Sequence, residues 1–306
     1  MKLAVEFPSV VYREGPAGVA HLVREIERIG FDQLDMFDHV VMGLPTGGRS
    51  RGPYPPQMPI LEALMTLSFA AAVTSRIGLG TEVLVLPQRQ PVLVAKQIST
   101  LDTLSAGRVR LGVGVGWQEA ENDALGMNFK TRGASMDEAI GVLRACWSEA
   151  EITATGRHFP MRDIVMEPKP PQGRAIPIWI GGGTPAALKR VGRLGDGWLG
   201  TSTIKAEQLP AALATIRAAA EEHGRDPAGI GLQMMLDAPP RSDDTAGKSF
   251  YKDSDRVARR AVEIRAAGFD WATINMTAVF QSGARSTAAM IDTLGTLHER
   301  IHRETA

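Results

Sequence analysis

The sequence predicts an α/β protein folded as a (β/α)8 TIM barrel with insertion loops, and three observations predict it. Apolar stretches of strand character recur eight times, each followed by a stretch of helical spacing, the alternation that builds a parallel sheet. Eight such units favour a closed barrel over an open sheet. A chain of 306 residues suits one barrel without a second core, and no internal repeat has a solenoid period, so residues 1–306 are read as a single domain.

In order, residues 3–7 read as the first strand and 17–29 as the first helix, closed by Gly30 as a C-terminal glycine. The second strand, 33–37, ends at once in Asp38 and His39. A Gly/Pro-rich loop follows at 43–59, long enough to suggest a functional role. A helix over 60–73 leads to the strand 77–85, IGLGTEVLV, and VLVAKQISTLDTLS repeats apolar residues at helical spacing. After the fourth strand, 109–115, a helix is expected over 132–149, with Asp137 and Glu138 near its start as the helix dipole favours. Residues 151–176 read as an irregular, proline-rich insertion. Then come the strand of IPIWIGGGTP (176–185), the short strand of GDGWLGTS (195–202), a helix over 207–223 and the strand 230–236. The polar loop 238–255 is a candidate lid. A helix over 256–267, a strand over 271–276 and a last helix over 286–303 complete the eight units.

The stretch GRVRLGVGVGWQEAE, 107–121, organises the rest. Glycine inside a strand costs stability, so Gly112, Gly114 and Gly116 at alternate positions imply that something packs closely on that backbone. Two readings stay open: a flat cofactor ring, or the bulk of a neighbouring strand. A dinucleotide fingerprint fails, because the final Gly/Ala of G-x-G-x-x-G is replaced by Trp117 or Glu119.

Composition narrows the function. Lys plus Arg and Asp plus Glu are equal at 34 each, so no basic field points to nucleic acid or an anionic membrane, and a small-molecule substrate is the expected partner. Cys146 is the only cysteine, which leaves no intrachain disulfide and no cysteine metal cluster. It falls in a helical apolar pattern and reads as core. The longest apolar segment, near 60–73, contains Glu62 and is too short to span a bilayer, so a cytoplasmic protein is expected.

If the barrel closes, every strand's C-terminal end points to one mouth. Asp38 and His39, Glu82 and Val83, Val115 and Gly116, and Gly181, Gly182, Gly183 and Thr184 would gather there. His39 can give or take a proton near neutral pH, with Asp38 orienting it; the plainer reading is a histidine that only bonds its turn. The three glycines before a helix start offer bare N–H groups to a phosphate, or form a plain tight turn. No His/Asp/Glu set has metal-ligand spacing, so no metal is expected, and there is no G-x-S-x-G elbow.

The DH pair at 38–39, GTEV at 80–83, STLDTLSAGRVRLGVGVGW at 99–117, RGASMDEAIGVLRACW at 132–147, IPIWIGGG and GDGW together resemble the bacterial luciferase-like monooxygenase superfamily. Within it the chain looks most like the coenzyme F420-dependent oxidoreductases. The resemblance implies a homodimer of (β/α)8 barrels with F420, or alternatively FMN, at the mouth. It further implies a non-prolyl cis peptide between Glu82 and Val83 pressing on the ring, Val115 and Gly116 as ring-contacting backbone, and Gly181 to Gly183 near the cofactor phosphate. Asp38 and His39 would lie where hydride transfers. Trp117 departs from the acidic catalytic residue of the F420-dependent sugar-phosphate dehydrogenases, so their substrate is not carried over. Lys205 lies near where those enzymes hold a substrate phosphate, but its loop spacing differs and it reads as a solvated lysine. Arg49 and Arg51 could meet F420's anionic tail. The expectation is hydride transfer between F420 and a small organic substrate. An FMN-dependent monooxygenase is the alternative, and a non-catalytic flavin-binding paralogue the third possibility.

Overall fold

Successive residues of a strand point to opposite faces of the sheet, and in this protein the two faces differ in chemistry. The computed structural model describes residues 1–46, 54–201, 203–237 and 249–306. Its barrel strands are β1 (Lys2–Glu6), β2 (Gln33–Met36), β3 (Gly78–Thr81), β4 (Val109–Gly114), β5 (Ile178–Gly181), β6 (Gly197–Gly200), β7 (Gly231–Met235) and β8 (Trp271–Asn275). Each pairs in parallel with the next, and β8 pairs with β1, so the sheet closes. The principal helices between and after them are α1 (Gly15–Ile29), α2 (Ala63–Val73), α3 (Pro91–Leu104), α4 (Arg132–Ser148), α5 (Pro185–Leu194), α6 (Leu209–Glu222), α7 (Ser254–Ala266) and α8 (Thr287–Thr305).

The outward strand residues make the hydrophobic core. Leu3, Val5, Leu34, Met36, Leu111, Val113, Ile178, Ile180 and Ile274 are buried in one cluster with Leu22 and Ile26 of α1, Leu143 of α4, Ile216 of α6 and Leu294 of α8. Cys146 is buried there too. Many of the inward residues are polar or glycine: Gln33 and Asp35 of β2, Arg110 of β4, Gln233 of β7 and Thr273 of β8 are all buried. Gln33 faces Gly78 across the β2–β3 register, where a Cβ would come within 2.1 Å of Gln33 Oε1. Towards the N-terminal end the Arg110 guanidinium sits in the corner of two indoles that meet edge to face at 6.2 Å, 4.5 Å from the Trp179 ring and 4.7 Å from that of Trp271, an arrangement in which the ring quadrupoles stabilise the cation.

Three expectations change. The stretch 77–85 is not one strand: β3 stops at Thr81, a cis peptide joins Glu82 to Val83, and Leu84–Val85 pairs instead with the end of β4. The stretch 151–176 is not wholly irregular, because Ile152–Ala154 and Met161–Ile164 form an antiparallel hairpin. Asp137 and Glu138 lie beyond the first turn of α4 and serve tertiary contacts rather than the dipole. Asp137 pairs with Arg190 and Arg193 of α5, and Glu138 accepts hydrogen bonds from His158 N and Phe159 N in the turn of the hairpin. Among the described residues no helix is long and apolar enough to cross a membrane.

Candidate active site

The residues expected at the mouth follow β2, β3, β4 and β5 and lie at one end of the barrel. The alternating glycines are explained by the segment that follows β3. Gly112 N donates to Thr81 Oγ1 (3.1 Å), whose hydroxyl donates to Gly112 O (2.6 Å). A Cβ on Gly112 would come within 1.8 Å of Thr81 O, one on Gly114 within 2.6 Å of Val83 Cγ2, and one on Gly116 within 2.6 Å of Val85 Cγ1. Glycines 112, 114 and 116 thus receive residues 81, 83 and 85 in turn. Gly181 closes the other side, where a Cβ would come within 2.7 Å of Val83 Cγ1. Of the two readings left open for these glycines, a neighbour's bulk is the one the geometry fills.

Gly182 and Gly183 have their own reasons. Gly182 takes φ +123°, a left-handed conformation that favours glycine, and its carbonyl accepts from Trp198 Nε1 at 2.8 Å. Gly183 makes room for Ile204. Thr184 caps α5, its hydroxyl accepting from Ala187 N at 3.3 Å, with Pro185 at the first helical position. Gly183 and Thr184 are exposed, so the α5 N-terminus presents its dipole and N–H groups to the mouth side. Lys205 is exposed just beyond Ile204.

Asp38 and His39 part company, which corrects the expectation that one orients the other. Both Asp38 oxygens are engaged elsewhere: Oδ1 with Arg89 Nη2 at 2.8 Å and Oδ2 with Val85 N at 3.0 Å. The partner of His39 is Glu121, whose Oε2 lies 2.9 Å from His39 Nδ1. Glu121 Oε1 accepts from Val40 N at 2.6 Å and Val41 N at 3.3 Å. Against the upward push of burial, the bonds from His39 and Val40 hold the Glu121 carboxyl below its usual range. Gln118 completes the clamp, donating to Val41 O at 3.1 Å and accepting from Gly43 N. The segments 39–43 and 117–121 are therefore tied together, with Trp117 edge-on to His39 at 5.5 Å between ring centroids.

Beneath the mouth Glu82 joins two buried carboxylates, Glu6 and Asp35, that were absent from the sequence reading. Glu82 Oε2 accepts from Thr273 Oγ1 at 2.9 Å and Gln233 Nε2 at 3.0 Å. Burial, reinforced by the charge of Asp35, pushes its pKa up to about 8. Asp35 pairs with Arg110 Nη2 at 2.8 Å. Burial, with Glu82 and Asp35 nearby, raises Glu6 well above the usual carboxylate range. Burial and Glu6 likewise raise the Tyr54 phenol. Arg49 and Arg51 lie outside the described residues. Among the described residues no three His, Cys, Asp or Glu side chains are arranged to hold a metal ion.

The family model for luciferase-like monooxygenases matches residues 3–248. A protein of Kineococcus radiotolerans named F420-dependent glucose-6-phosphate dehydrogenase is 30% identical over 235 residues, covering 74% of this chain and 66% of its own. One of the same name from Beutenbergia cavernae is 36% identical over 181 residues, covering 58% of this chain and 50% of its own. The matched part of this chain thus spans between half and about two thirds of those relatives. In fold, a solved F420-dependent secondary alcohol dehydrogenase in complex with an F420–acetone adduct superposes with a TM-score of 0.79 at 18% identity, covering 98% of each chain. The closed parallel barrel, the cis Glu82–Val83 bulge seated on glycines and the match over residues 3–248 lead to one assignment: the chain belongs to the luciferase-like monooxygenase family.

Proposed function

We propose that the protein is an F420-dependent oxidoreductase that moves a hydride between the deazaflavin and a small organic substrate, as one domain spanning residues 1–306. The observation that carries the reading is the similarity to two relatives named as F420-dependent dehydrogenases, and the site fits such a group. The bulge at Val83, held from behind by Gly114 and Gly181, offers a ridge for a flat ring, with Val115 and Gly116 as adjacent backbone. The exposed Gly183 and Thr184 at the α5 N-terminus suit a phosphate, with Gly181 and Gly182 leading to it. When bound, the deazaflavin supplies a carbon that accepts or donates a hydride.

His39 handles the accompanying proton. A carboxylate at Nδ1 favours the tautomer with its proton there, which leaves Nε2 as acceptor. Glu121 also fixes the ring through the backbone of Val40 and Val41, so the base is pre-positioned. Asp38 acts as a positioning residue, joining Arg89 to the Leu84–Val85 strand.

The assembly is proposed to be a homodimer. Met65, Phe69 and Leu93 on α2 and α3 are exposed, and Met65 and Phe69 line an apolar hollow of about 260 Å³ with Pro16, Val19 and Leu61, the kind of surface that marks an interface. Light scattering at micromolar concentration tests it; a monomer mass overturns it. The cofactor is tested by titrating the purified protein with F420 and with FMN, following their fluorescence. Tight F420 binding supports the reading. FMN binding with negligible F420 binding moves the protein to flavin-dependent oxygen chemistry.

A further inference from the structure

The segment after β3 turns two neighbouring side chains to opposite uses. Val83 holds the bulge, its methyl groups set against Gly114 and Gly181. Glu82 reaches across the barrel to β7 and β8, where Oε2 accepts from Gln233 Nε2 at 3.0 Å and Thr273 Oγ1 at 2.9 Å. Thr273 Oγ1 also accepts from Gln233 Nε2 at 2.8 Å, so the threonine's own proton is directed to Glu82, and Oε2 is an oxygen that only accepts. Oε1 bonds nothing among the described residues. Glu6 and Asp35 are fully buried, but Glu82 keeps part of its surface open. With the lower end of the barrel filled by Trp179, Arg110 and Trp271, that opening lies on the side where the strands end.

The groups around Glu82 decide what Oε1 carries. Among the described residues the charges acting on it are Glu6 from β1, Asp35 from β2 and Arg110 from β4. The phenols of Tyr54 and Tyr251 stand beside Glu6, and β7 and β8 offer only the neutral Gln233 and Thr273. Arg110 is already given to Asp35, at 2.8 Å. Two further ionised carboxylates in this space would lack a partner. Burial, reinforced by Asp35, accordingly holds the Glu82 proton up to a pKa of about 8. Because Oε2 is filled by donors, that proton sits on Oε1. Near neutral pH Glu82 is thus a hydrogen-bond donor facing the mouth from the foot of the bulge. Once ionised, the same atom is a negatively charged acceptor.

Resting on the F420 reading, we propose that Glu82 contacts the cofactor ring and favours its reduced form, donating a hydrogen bond from Oε1, and that ionisation of Glu82 turns this contact into repulsion. A hydride adds an electron pair and net negative charge to the ring. The reduced ring is therefore the richer acceptor, and a donor to it is worth more than the same donor to the oxidised ring. By binding the reduced form more tightly, Glu82 raises the reduction potential of the bound cofactor and links it to pH. Oε1 keeps its proton throughout.

The test compares the wild type with Glu82→Gln and Glu82→Leu. Dissociation constants for oxidised F420 are read from its fluorescence, and those for reduced F420 by competition. In the wild type the ratio of oxidised to reduced constants should fall about tenfold between about pH 7 and about pH 9.5, the loss expected for one such hydrogen bond. Glutamine gives its oxygen to Thr273 and Gln233 and its N–H₂ to the mouth, so Glu82→Gln keeps a donor that cannot ionise and should abolish the fall. Glu82→Leu should show the low ratio at every pH. The infrared C=O band of the Glu82 acid, identified as the band that Glu82→Gln removes, should move to lower frequency when reduced F420 is added. An unmoved band, a wild-type ratio that is flat with pH, or a fall that persists in Glu82→Gln overturns the proposal. Wild-type protein that binds no F420 overturns the cofactor reading and this proposal together, whereas F420 binding with any of those three results overturns only this one.

Discussion

Gly114→Ala tests whether the bulge after β3 is held by a steric grip. A Cβ there would stand 2.6 Å from Val83 Cγ2, where carbon atoms normally rest about 3.5–4.0 Å apart. Val83 has no easy escape. It is β-branched and stiff at χ1, and its other methyl already faces Gly181, where a Cβ would come within 2.7 Å. Overpacking of this kind costs about 1–3 kcal/mol, and the double-sided grip places Gly114→Ala near the top of that range. Val83→Ala alone removes two methyl-sized groups, a loss of up to about 1.6 kcal/mol at ~0.8 kcal/mol each. In the double variant the added methyl enters the vacated space, so it should be no less stable than Val83→Ala. The coupling then equals the Gly114→Ala cost, about 3 kcal/mol. Urea unfolding of the four proteins measures it, with Gly141→Ala in α4 as control, since nothing lies within 4 Å of a Cβ there. Additivity within about 0.5 kcal/mol would refute the grip and reopen the reading in which the glycines exist for a ring.

Glu121→Gln should lower kcat roughly 10²-fold, the low end for a general acid-base group, while leaving the F420 dissociation constant unchanged. The ¹⁵N spectrum of His39 should show mixed tautomers, and an unchanged spectrum would mean the contact does not set the ring. His39→Ala should keep cofactor binding and lose turnover, and Gly182→Asp should lose cofactor binding first; equal loss of binding in both would make His39 a structural contact. Glu82 has its carboxyl raised from 4.5 to about 8 in the folded state, so its proton is held more tightly by the folded than by the unfolded chain. Its stabilising contribution is full below about pH 4.5 and is lost as pH rises through about 8. Glu82→Gln should remove that slope, worth at most about 5 kcal/mol at 1.36 kcal/mol per unit; a variant with the wild-type slope would place the proton elsewhere.

The barrel was legible because its outward residues are apolar at strand spacing while its helices carry apolar faces, and both patterns are local. The hydrogen-bonded partner of His39 was not, because Glu121 stands 82 residues away and only the pairing of β2 and β4 on either side of β3 brings their ends together. A signal did exist: Gln118 and Glu121 are polar residues just after Trp117 that end up buried. Asp38 misled because adjacency in sequence suggested contact, whereas neighbouring side chains in extended backbone point apart. The glycines at 112, 114 and 116 stayed ambiguous for a related reason, since what they make room for lies on another strand. The carboxylates Glu6 and Asp35 could not be singled out from strands whose polar positions might equally have faced water.

The guanidinium held in the corner of Trp179 and Trp271 has a consequence for traffic. Trp179 fills the space left by Gly197 and Gly231, where a Cβ would come within 2.2 Å and 2.5 Å of its ring, so indole, guanidinium and indole form a stopper across the lower end of the barrel. A vessel stoppered below fills and empties only from above. The open approach to Glu82 and Glu6 is then from His39's side of the molecule, where the strands end.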